Sequence, residues 1–436
     1  MSWFSTQRAG REGWSLDIVS LLAVIGEGAM ESHIQPMTSS WTCLLPRIMP
    51  APQALLKASR PTRMPEFPCA IAGIMNGTSV GTLNFFPNII HPLDEQPAFG
   101  FKVYSIKHKD ESPPVTRRTS PKESKEVLSE GELPAVEAQR VKTTRSESTL
   151  KQVQRAVTNT FSKPLPHIPT RPLSPLNILS IASCLLTIGL LTLAALIRDG
   201  TACIALTTLS LSTTTISYAT WWTPILKRRP FPGYVPSGDV AIRTREGAFL
   251  LIHCNENIAR ELYTGTEECH YVVPPSTHRL LVGTGTFLFM LSVVLLGNCD
   301  FPMQAAIGGS YMLLNGLFWL LSLANKKRFW DLGIYVVEER TPRDAMDAHV
   351  STGGGKEGVA CFTRSMWYAI RETGRVDWVR RMGAAPDTPE WDAWLREAEE
   401  EAKKGNRGWE AVRRRGELFE GVDAREQQGS HSHSVK

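Results

Sequence analysis

Four stretches of this 436-residue sequence contain no Asp, Glu, Lys, Arg or His. They run over residues 176–197, 202–225, 280–297 and 303–324, and each approaches the roughly 20 residues that a helix needs to cross a bilayer. A helix buried in a soluble core is usually shorter and keeps an amphipathic period. The missing charges therefore predict an α-helical membrane protein with four transmembrane helices.

Short polar turns join these stretches in pairs, at 198–200 and at 298–302. We therefore expect two hairpins, residues 173–226 and residues 280–325. Basic residues lie beyond the other helix ends, namely Lys163, Arg171, Lys227, Arg228, Arg229, Arg279, Lys326, Lys327 and Arg328. Arg198 alone falls in a turn. Because basic residues favour the cytosolic side, we expect both termini and the segment between the hairpins to lie in the cytosol. The lipid bilayer is then the expected binding partner of the four helices.

Aromatic residues are nearly missing from residues 111–172, which contain no Trp or Tyr and one Phe among many Ser, Thr, Pro and basic residues. Such a segment buries too little apolar surface to offset its chain entropy, so we predict a disordered basic arm. Within it, Ser120 follows two arginines and precedes a proline, which makes it a candidate phosphorylation site. Residues 1–110 show no sustained period and are expected to be irregular.

The end of this arm repeats proline every three residues, at Pro166, Pro169 and Pro172. This is the period of a polyproline II helix. Lys163 and Arg171 supply flanking cations, so Lys163, Pro166, Pro169 and Arg171 form a candidate ligand for an SH3-type domain. The alternative, which we favour, is a stiff spacer ahead of the first membrane helix.

Residues 227–279, between the two hairpins, have the pattern of a small β-β-α-β module. Asp239–Thr244 and Ala248–His253 are typical strands around a turn. A helix is predicted after Asn255, whose side chain is a good N-cap. Cys269–Val273 can form the third strand. We therefore predict a small α+β unit on the cytosolic surface.

This module carries two pairs of metal-ligand residue types, His253/Cys254 and Cys269/His270. Neighbours on a strand point to opposite faces, so at most one residue of each pair can converge easily, whereas zinc needs four ligands. We therefore expect no metal site and no cofactor. Cys254 and Cys269 are interpreted as core thiols of a reducing compartment.

The remaining segment, 326–436, is predicted to be a cytosolic tail with amphipathic helices. Thr388 is a good N-cap with proline after it, and one helical face then carries Trp391, Trp394, Leu395 and Ala398. We favour a self-contained packing unit. A helix pair that lies on lipid or binds a protein partner is the alternative.

Four short motifs carry a resemblance to known proteins. Gly238–Arg243, Ala259–Gly265, Trp367–Gly374 and Thr388–Trp391 resemble segments of uncharacterised multi-pass membrane proteins of filamentous fungi. The resemblance covers roughly residues 172–419. It implies an integral membrane protein, and it implies no activity and no site residues.

Three function classes stay open. The first, which we favour, is a scaffold or regulatory membrane protein that binds cytosolic partners through the Pro-rich arm and the C-terminal helices. A small transporter or channel subunit is the alternative, but the membrane stretches lack charged residues. A membrane enzyme is the third class, and no catalytic signature supports it, so no catalytic residues are assigned. We expect no nucleic-acid binding, and an oligomer remains open.

Overall fold

The computed structural model describes residues 27–50, 52–56, 59–109, 167–227, 236–353 and 355–420. The predicted Ser120, Lys163 and Pro166 therefore lie outside the described residues, as does most of the predicted arm. The described residues form a helical bundle, a six-stranded sheet and a layer of C-terminal helices on that sheet.

The elements before the predicted arm are α1 (Glu27–Thr38), β1 (Phe67–Gly73), β2 (Ser79–Leu83), α2 (Phe85–Ile90) and β3 (Phe101–His108). Those after it are α3 (Pro175–Ile197), α4 (Gly200–Ala219), β4 (Trp222–Lys227), β5 (Val240–Arg243), β6 (Phe249–His253), α5 (Glu256–Ile258, continued by a π-helical turn over Ala259–Tyr263), β7 (Thr266–Tyr271), α6 (Pro275–Gly297), α7 (Phe301–Ser322), β8 (Tyr335–Glu339), α8 (Phe362–Thr373), α9 (Asp377–Arg381) and α10 (Pro389–Lys403). A last helix, α11, covers 411–420.

Helices α3, α4, α6 and α7 form the bundle. Among the described residues, α3, α6 and α7 are long and apolar enough to cross a membrane. Helix α4 is rich in Ser and Thr and is more deeply buried. The prediction that this second stretch stays helical to residue 225 is wrong, since Trp222–Lys227 is strand β4. Pro224 explains the difference, because proline has no N–H to donate and disfavours helical backbone in the residue before it.

Helices α4 and α6 approach each other closely at Gly285. A Cβ atom on Gly285 would lie 2.4 Å from Cγ1 of Ile216 on α4. At the same crossing, the hydroxyl of Ser212 donates a hydrogen bond of 2.7 Å to the carbonyl oxygen of Gly285. Small residues and hydroxyl hydrogen bonds are the usual means by which apolar helices pack closely.

The six strands of the large sheet have the order β2-β1-β5-β6-β3-β8, in which only the β6–β3 pair is parallel. Three of these strands come from residues 67–108, so the expectation of an irregular N-terminal region is wrong there. The predicted element order of segment 227–279 is present as β5, β6, α5 and β7. That segment is nevertheless no separate unit, because β5 and β6 belong to the large sheet while β7 pairs with β4.

The sheet has a buried core on each face. Leu250 and Ile252 of β6 face the core that continues into the bundle. Phe249 and Leu251, which alternate with them, face the C-terminal helices. The predicted apolar face of α10 is buried as expected, and it comprises Trp391, Trp394, Leu395 and Ala398. The C-terminal helices thus cover the sheet instead of forming a unit of their own, and this packing occupies their apolar faces.

The N-terminal residues also contact the bundle. Helix α1 packs on α7, where the Nε2 atom of His33 lies 3.1 Å from the carbonyl oxygen of Phe318. At the end of α1, the indole N–H of Trp222 donates a hydrogen bond of 3.0 Å to the hydroxyl of Thr38. Helix α1 therefore lies at the end of the bundle where β4 leaves α4.

Residues 41–50, here called the inserted segment, pass between α3 and α4. The backbone N–H of Ile48 donates to the hydroxyl of Thr187 at 2.9 Å, and the hydroxyl of Ser183 donates to the carbonyl oxygen of Ile48. From α4, the hydroxyl of Thr213 donates to the carbonyl oxygen of Arg47 at 2.8 Å. Hydroxyls of two helices therefore satisfy the backbone at Arg47 and Ile48, which follow the short 3-10 helix Trp41–Leu44 of this segment.

The close crossing of α4 and α6 gives a direct test. We expect Gly285→Val to lower the free energy of unfolding by about 1–3 kcal/mol, because the new side chain overlaps Ile216. Gly283→Val is the matched control, since a Cβ there meets no heavy atom within 4 Å. Thermal unfolding of the purified protein in detergent measures both. Equal unfolding midpoints for the two variants would contradict this packing.

Candidate functional site

A row of polar side chains crosses three neighbouring strands at one end of the large sheet. Ser105 of β3 is the register partner of His253 at the end of β6. On the other side of β6, Val240 pairs with Ile252, so Asp239 comes opposite His253. Register partners share a face of the sheet. Asp239, His253 and Ser105, here called the polar row, therefore line up on one face.

The polar row continues the face that the C-terminal helices cover. Two residues further into each strand, the same face carries Ala241, Leu251 and Val103, which are buried beneath those helices. The polar row opens instead into a pocket of about 500 Å³. Its lining comprises Ser105, Ile106, Lys107, Ser237, Asp239, His253, Cys254 and Asn255. The pocket is thus the part of the sheet face that the helices leave open.

Asp239 orients the imidazole of His253. Its Oδ2 atom lies 3.1 Å from Nδ1 of His253. Its Oδ1 atom accepts hydrogen bonds from the hydroxyl of Ser237 at 2.9 Å and from the backbone N–H of Cys254 at 3.2 Å. A carboxylate that holds one imidazole nitrogen fixes the ring and leaves Nε2 as the atom that can exchange a proton with a ligand.

The same contacts shift the pKa values of His253 and Asp239 in opposite directions. The hydrogen bond to Asp239 raises the pKa of His253 above its ordinary value, although burial opposes the change. For Asp239, burial favours the neutral acid, but the hydrogen bonds from His253 and Ser237 outweigh it and lower the pKa. The pair is therefore held as imidazolium and carboxylate over a wider pH range than either group alone.

The acidic segment between the two predicted ligand pairs has a structural role. Glu256, Glu261 and Glu267 are buried, and each binds a distant part of the chain. Their partners are Asn76 and Arg260 for Glu256, Tyr335 and His108 for Glu261, and the backbone N–H groups of Phe85 and Phe86 for Glu267. These carboxylates attach the N-terminal strands and β8 to the segment between the hairpins.

The predicted ligand pairs fall in two different sheets. His253 and Cys254 end a strand of the large sheet, whereas Cys269 and His270 lie in β7. Within the described ranges, no group of three or more His, Cys, Asp or Glu is arranged to hold a metal ion. Cys254 belongs to the core and Cys269 packs against it, as expected for core thiols. Burial raises the pKa of the Cys269 thiol to about 12, so it is a poor nucleophile.

The described end of the proline repeat is bound to the protein itself. The backbone N–H of Asp331 donates to the carbonyl oxygen of Pro169 at 2.8 Å, and the N–H of Arg171 donates to that of Phe329 at 3.0 Å. The side chains of Pro169 and Arg171 are exposed, while Ile168 between them is buried. An SH3-type domain would compete with these backbone bonds, which fits the spacer interpretation better.

Sequence reasoning missed the polar row. Asp239 and His253 stood at the ends of two predicted strands, and a hairpin of those strands would have placed them opposite each other. That register was the available signal. Ser105 had no such signal, because its strand lies in the region expected to be irregular.

The Asp239–His253 pair predicts a pH effect. In Asp239→Asn the pKa of His253 should fall towards its ordinary value, because the main group that raises it is neutralised. Stability from a raised histidine pKa is fully present below about pH 6.5 and is lost as the pH rises through the raised value. This contribution should be absent in the variant.

Histidine-labelled protein titrated by NMR measures that pKa directly. Ser237→Ala is the control, since it keeps the carboxylate and should leave the pKa of His253 above its ordinary value. An unchanged His253 titration in Asp239→Asn would show that the hydrogen bond does not set its pKa.

Comparison with known proteins adds no relative to this picture. No family model matches the chain, and neither a curated protein nor a solved structure matches it. The resemblance to fungal multi-pass membrane proteins stays a prediction. The function must therefore be argued from the bundle, the sheet and the pocket alone.

Proposed function

We propose that the chain is a multi-pass membrane protein in which α3, α4, α6 and α7 cross the bilayer as two hairpins. The observation that carries this proposal is the exposure of large apolar side chains around the bundle, which water would disfavour and lipid would not. They include Ile178, Ile181, Leu185, Ile188 and Leu196 of α3, Ile204 and Leu211 of α4, Leu280, Phe287, Met290 and Val294 of α6, and Met312, Leu313, Trp319 and Leu320 of α7.

Helix α4 is the fourth crossing in this proposal. Its 20 residues span about 30 Å, the thickness of a hydrocarbon core. Several of its hydroxyls donate hydrogen bonds one turn back, as when Thr208 and Ser210 donate to the carbonyl oxygens of Ile204 and Leu206. The buried hydroxyl of Thr214 has no partner among the described residues. A central position among three more apolar helices accounts for its lower hydrophobicity.

The two ends of the bundle differ in charge. At the end next to the sheet lie Lys227, Arg279 and the run 326–328, and at the opposite end lies Arg198. There Asp199 joins the two turns, because its carboxylate accepts hydrogen bonds from the N–H groups of Ala202 and Asp300 at 2.9 and 2.8 Å. Basic residues favour the cytosolic side. This asymmetry supports the proposal that the sheet, the C-terminal helices and both termini lie in the cytosol.

Within this arrangement we favour a scaffold or regulatory role. The buried carboxylates and the shared core attach the sheet firmly to the bundle, and the pocket with His253 opens to the cytosol. A pocket whose imidazole has a raised pKa, as His253 has, can make binding of a cytosolic partner depend on pH. A transporter or channel subunit is the second candidate, and the buried side chain of Arg47 inside the bundle favours it.

The topology test uses engineered glycosylation acceptors. We expect modification of an acceptor in a lengthened 298–302 turn, because that turn faces away from the cytosol. An acceptor placed near Ser237 should stay unmodified. The reverse pattern would invert the chain, place the His253 pocket outside the cytosol and remove the basis for a cytosolic regulatory role.

A further inference from the structure

Arg47 is a charged side chain buried inside the bundle, where the four long helices contribute none. It belongs to the inserted segment, and 1% of its surface is exposed. Its Nη1 atom donates a hydrogen bond of 2.6 Å to the carbonyl oxygen of Thr42. Its Nη2 atom is buried, and among the described residues it has no hydrogen-bond partner. The N–H groups of Nη2 therefore have no acceptor there.

The guanidinium also lacks a counter-ion in the described part of the chain. No carboxylate forms an ion pair with Arg47 there, and the ionisable groups that face it are the thiols of Cys43 and Cys184. Arginine remains protonated in proteins. A buried unpaired charge costs several kcal/mol even after relaxation, so such a residue normally has an anionic partner.

The position of Arg47 within the bundle increases the cost of leaving its charge unpaired. At about 1.5 Å per residue, Thr187, which binds Ile48, lies about 15 Å from the turn that joins α3 to α4. Thr213, which binds Arg47, lies about 20 Å from the same turn. Both distances place the backbone of Arg47 inside the span of the bundle, if the bundle crosses the bilayer as proposed above. The guanidinium lies towards the sheet end of the bundle, because Thr42, which binds it, also donates a hydrogen bond to Asn177 in the first turn of α3. Ionisable residues within a membrane-spanning bundle usually mark a binding site or a pathway.

A second buried donor without a hydrogen-bond partner in the described ranges, the hydroxyl of Ser180, lies on the side of α3 that contacts the inserted segment. Ser180 is fully buried, and its hydroxyl has no partner among the described residues. It stands one helical turn after Asn177, whose side-chain oxygen accepts a hydrogen bond of 2.9 Å from the hydroxyl of Thr42, the residue that binds Arg47. Residues three apart share a helix face. Two buried donors, Nη2 of Arg47 and the hydroxyl of Ser180, therefore lie near the contact of α3 with the inserted segment, and neither has a partner among the described residues.

We propose that Arg47 and Ser180 bind a small inorganic anion inside the bundle, of the size of a halide or nitrate. The anion accepts a hydrogen bond from Nη2 of Arg47 and one from the hydroxyl of Ser180, and it neutralises the guanidinium charge. Both donors are buried, so a small anion fits the site better than a large organic anion. Membrane crossing of the bundle is the part of the proposed function on which this inference rests.

Thermal unfolding at constant ionic strength tests the proposal. The full chain, purified in a neutral detergent, is titrated with chloride, bromide or nitrate in place of gluconate. We expect the wild-type midpoint to rise and saturate, by at least about 2 °C, since a ligand that binds only the folded state stabilises it. In Arg47→Gln this dependence should vanish, and in Ser180→Ala the apparent affinity should fall several-fold.

Arg60→Gln is the matched control. The Arg60 guanidinium is satisfied by the carbonyl oxygens of Val273 at 2.6 Å and Ala219 at 3.4 Å, so its loss should lower stability without removing the anion dependence. Arg47→Lys, which keeps the charge, should retain a weaker dependence. If Arg47→Gln does not fold, the wild type and Ser180→Ala still decide the matter.

The outcomes separate this inference from the proposed function. A wild-type chain that enters the membrane fraction but unfolds independently of all three anions would overturn the anion site alone. A chain that carbonate extracts from membranes would instead overturn the membrane arrangement. Equal anion dependence in wild type and Arg47→Gln would show that the anion binds elsewhere.

Discussion

Every backbone N–H and C=O of a non-helical segment inside a helical bundle needs a partner, and this constraint shapes the structure. The inserted segment meets it with hydroxyls from Ser183 and Thr187 of α3 and from Thr213 of α4. These residues explain why α3 and α4 are not uniformly apolar. The same segment brings Arg47 into the bundle. Polar helix residues and a buried charge thus follow from a single insertion.

A second set of contacts, made by buried carboxylates, holds the sheet in a fixed position relative to the bundle. Glu267 accepts hydrogen bonds from the first N–H groups of α2, and Glu256 binds Asn76 in the turn between β1 and β2. Burial raises the pKa of Glu267 to about 8, although its two backbone hydrogen bonds oppose the change. Because these side chains come from the segment between the hairpins, the sheet is fixed relative to α4 and α6. The pocket beside His253 therefore has a defined position with respect to the bundle.

The sequence predicted what depends on local residue patterns. The four charge-free stretches became four helices, and Asn255 caps α5 by accepting a hydrogen bond from Ile258, as expected. Contacts between distant residues were not predictable. Strand β1 pairs with β5, so that Ala70 lies beside Arg243, and no local period in 67–108 reports that pairing. The positions of Ser105 in the polar row and of Arg47 in the bundle likewise depend on contacts between residues far apart in the sequence.

The central claim is that the inserted segment lies between α3 and α4. Cross-linking in intact membranes tests it most directly, in a cysteine-free background with Ile48→Cys paired with Thr187→Cys. The backbone N–H of Ile48 and the hydroxyl of Thr187 are 2.9 Å apart, so a short bifunctional thiol reagent should join this pair efficiently. Ile48→Cys with Thr192→Cys, on the exposed side of α3, should stay unlinked. Equal cross-linking of both pairs, or of neither, would contradict the account.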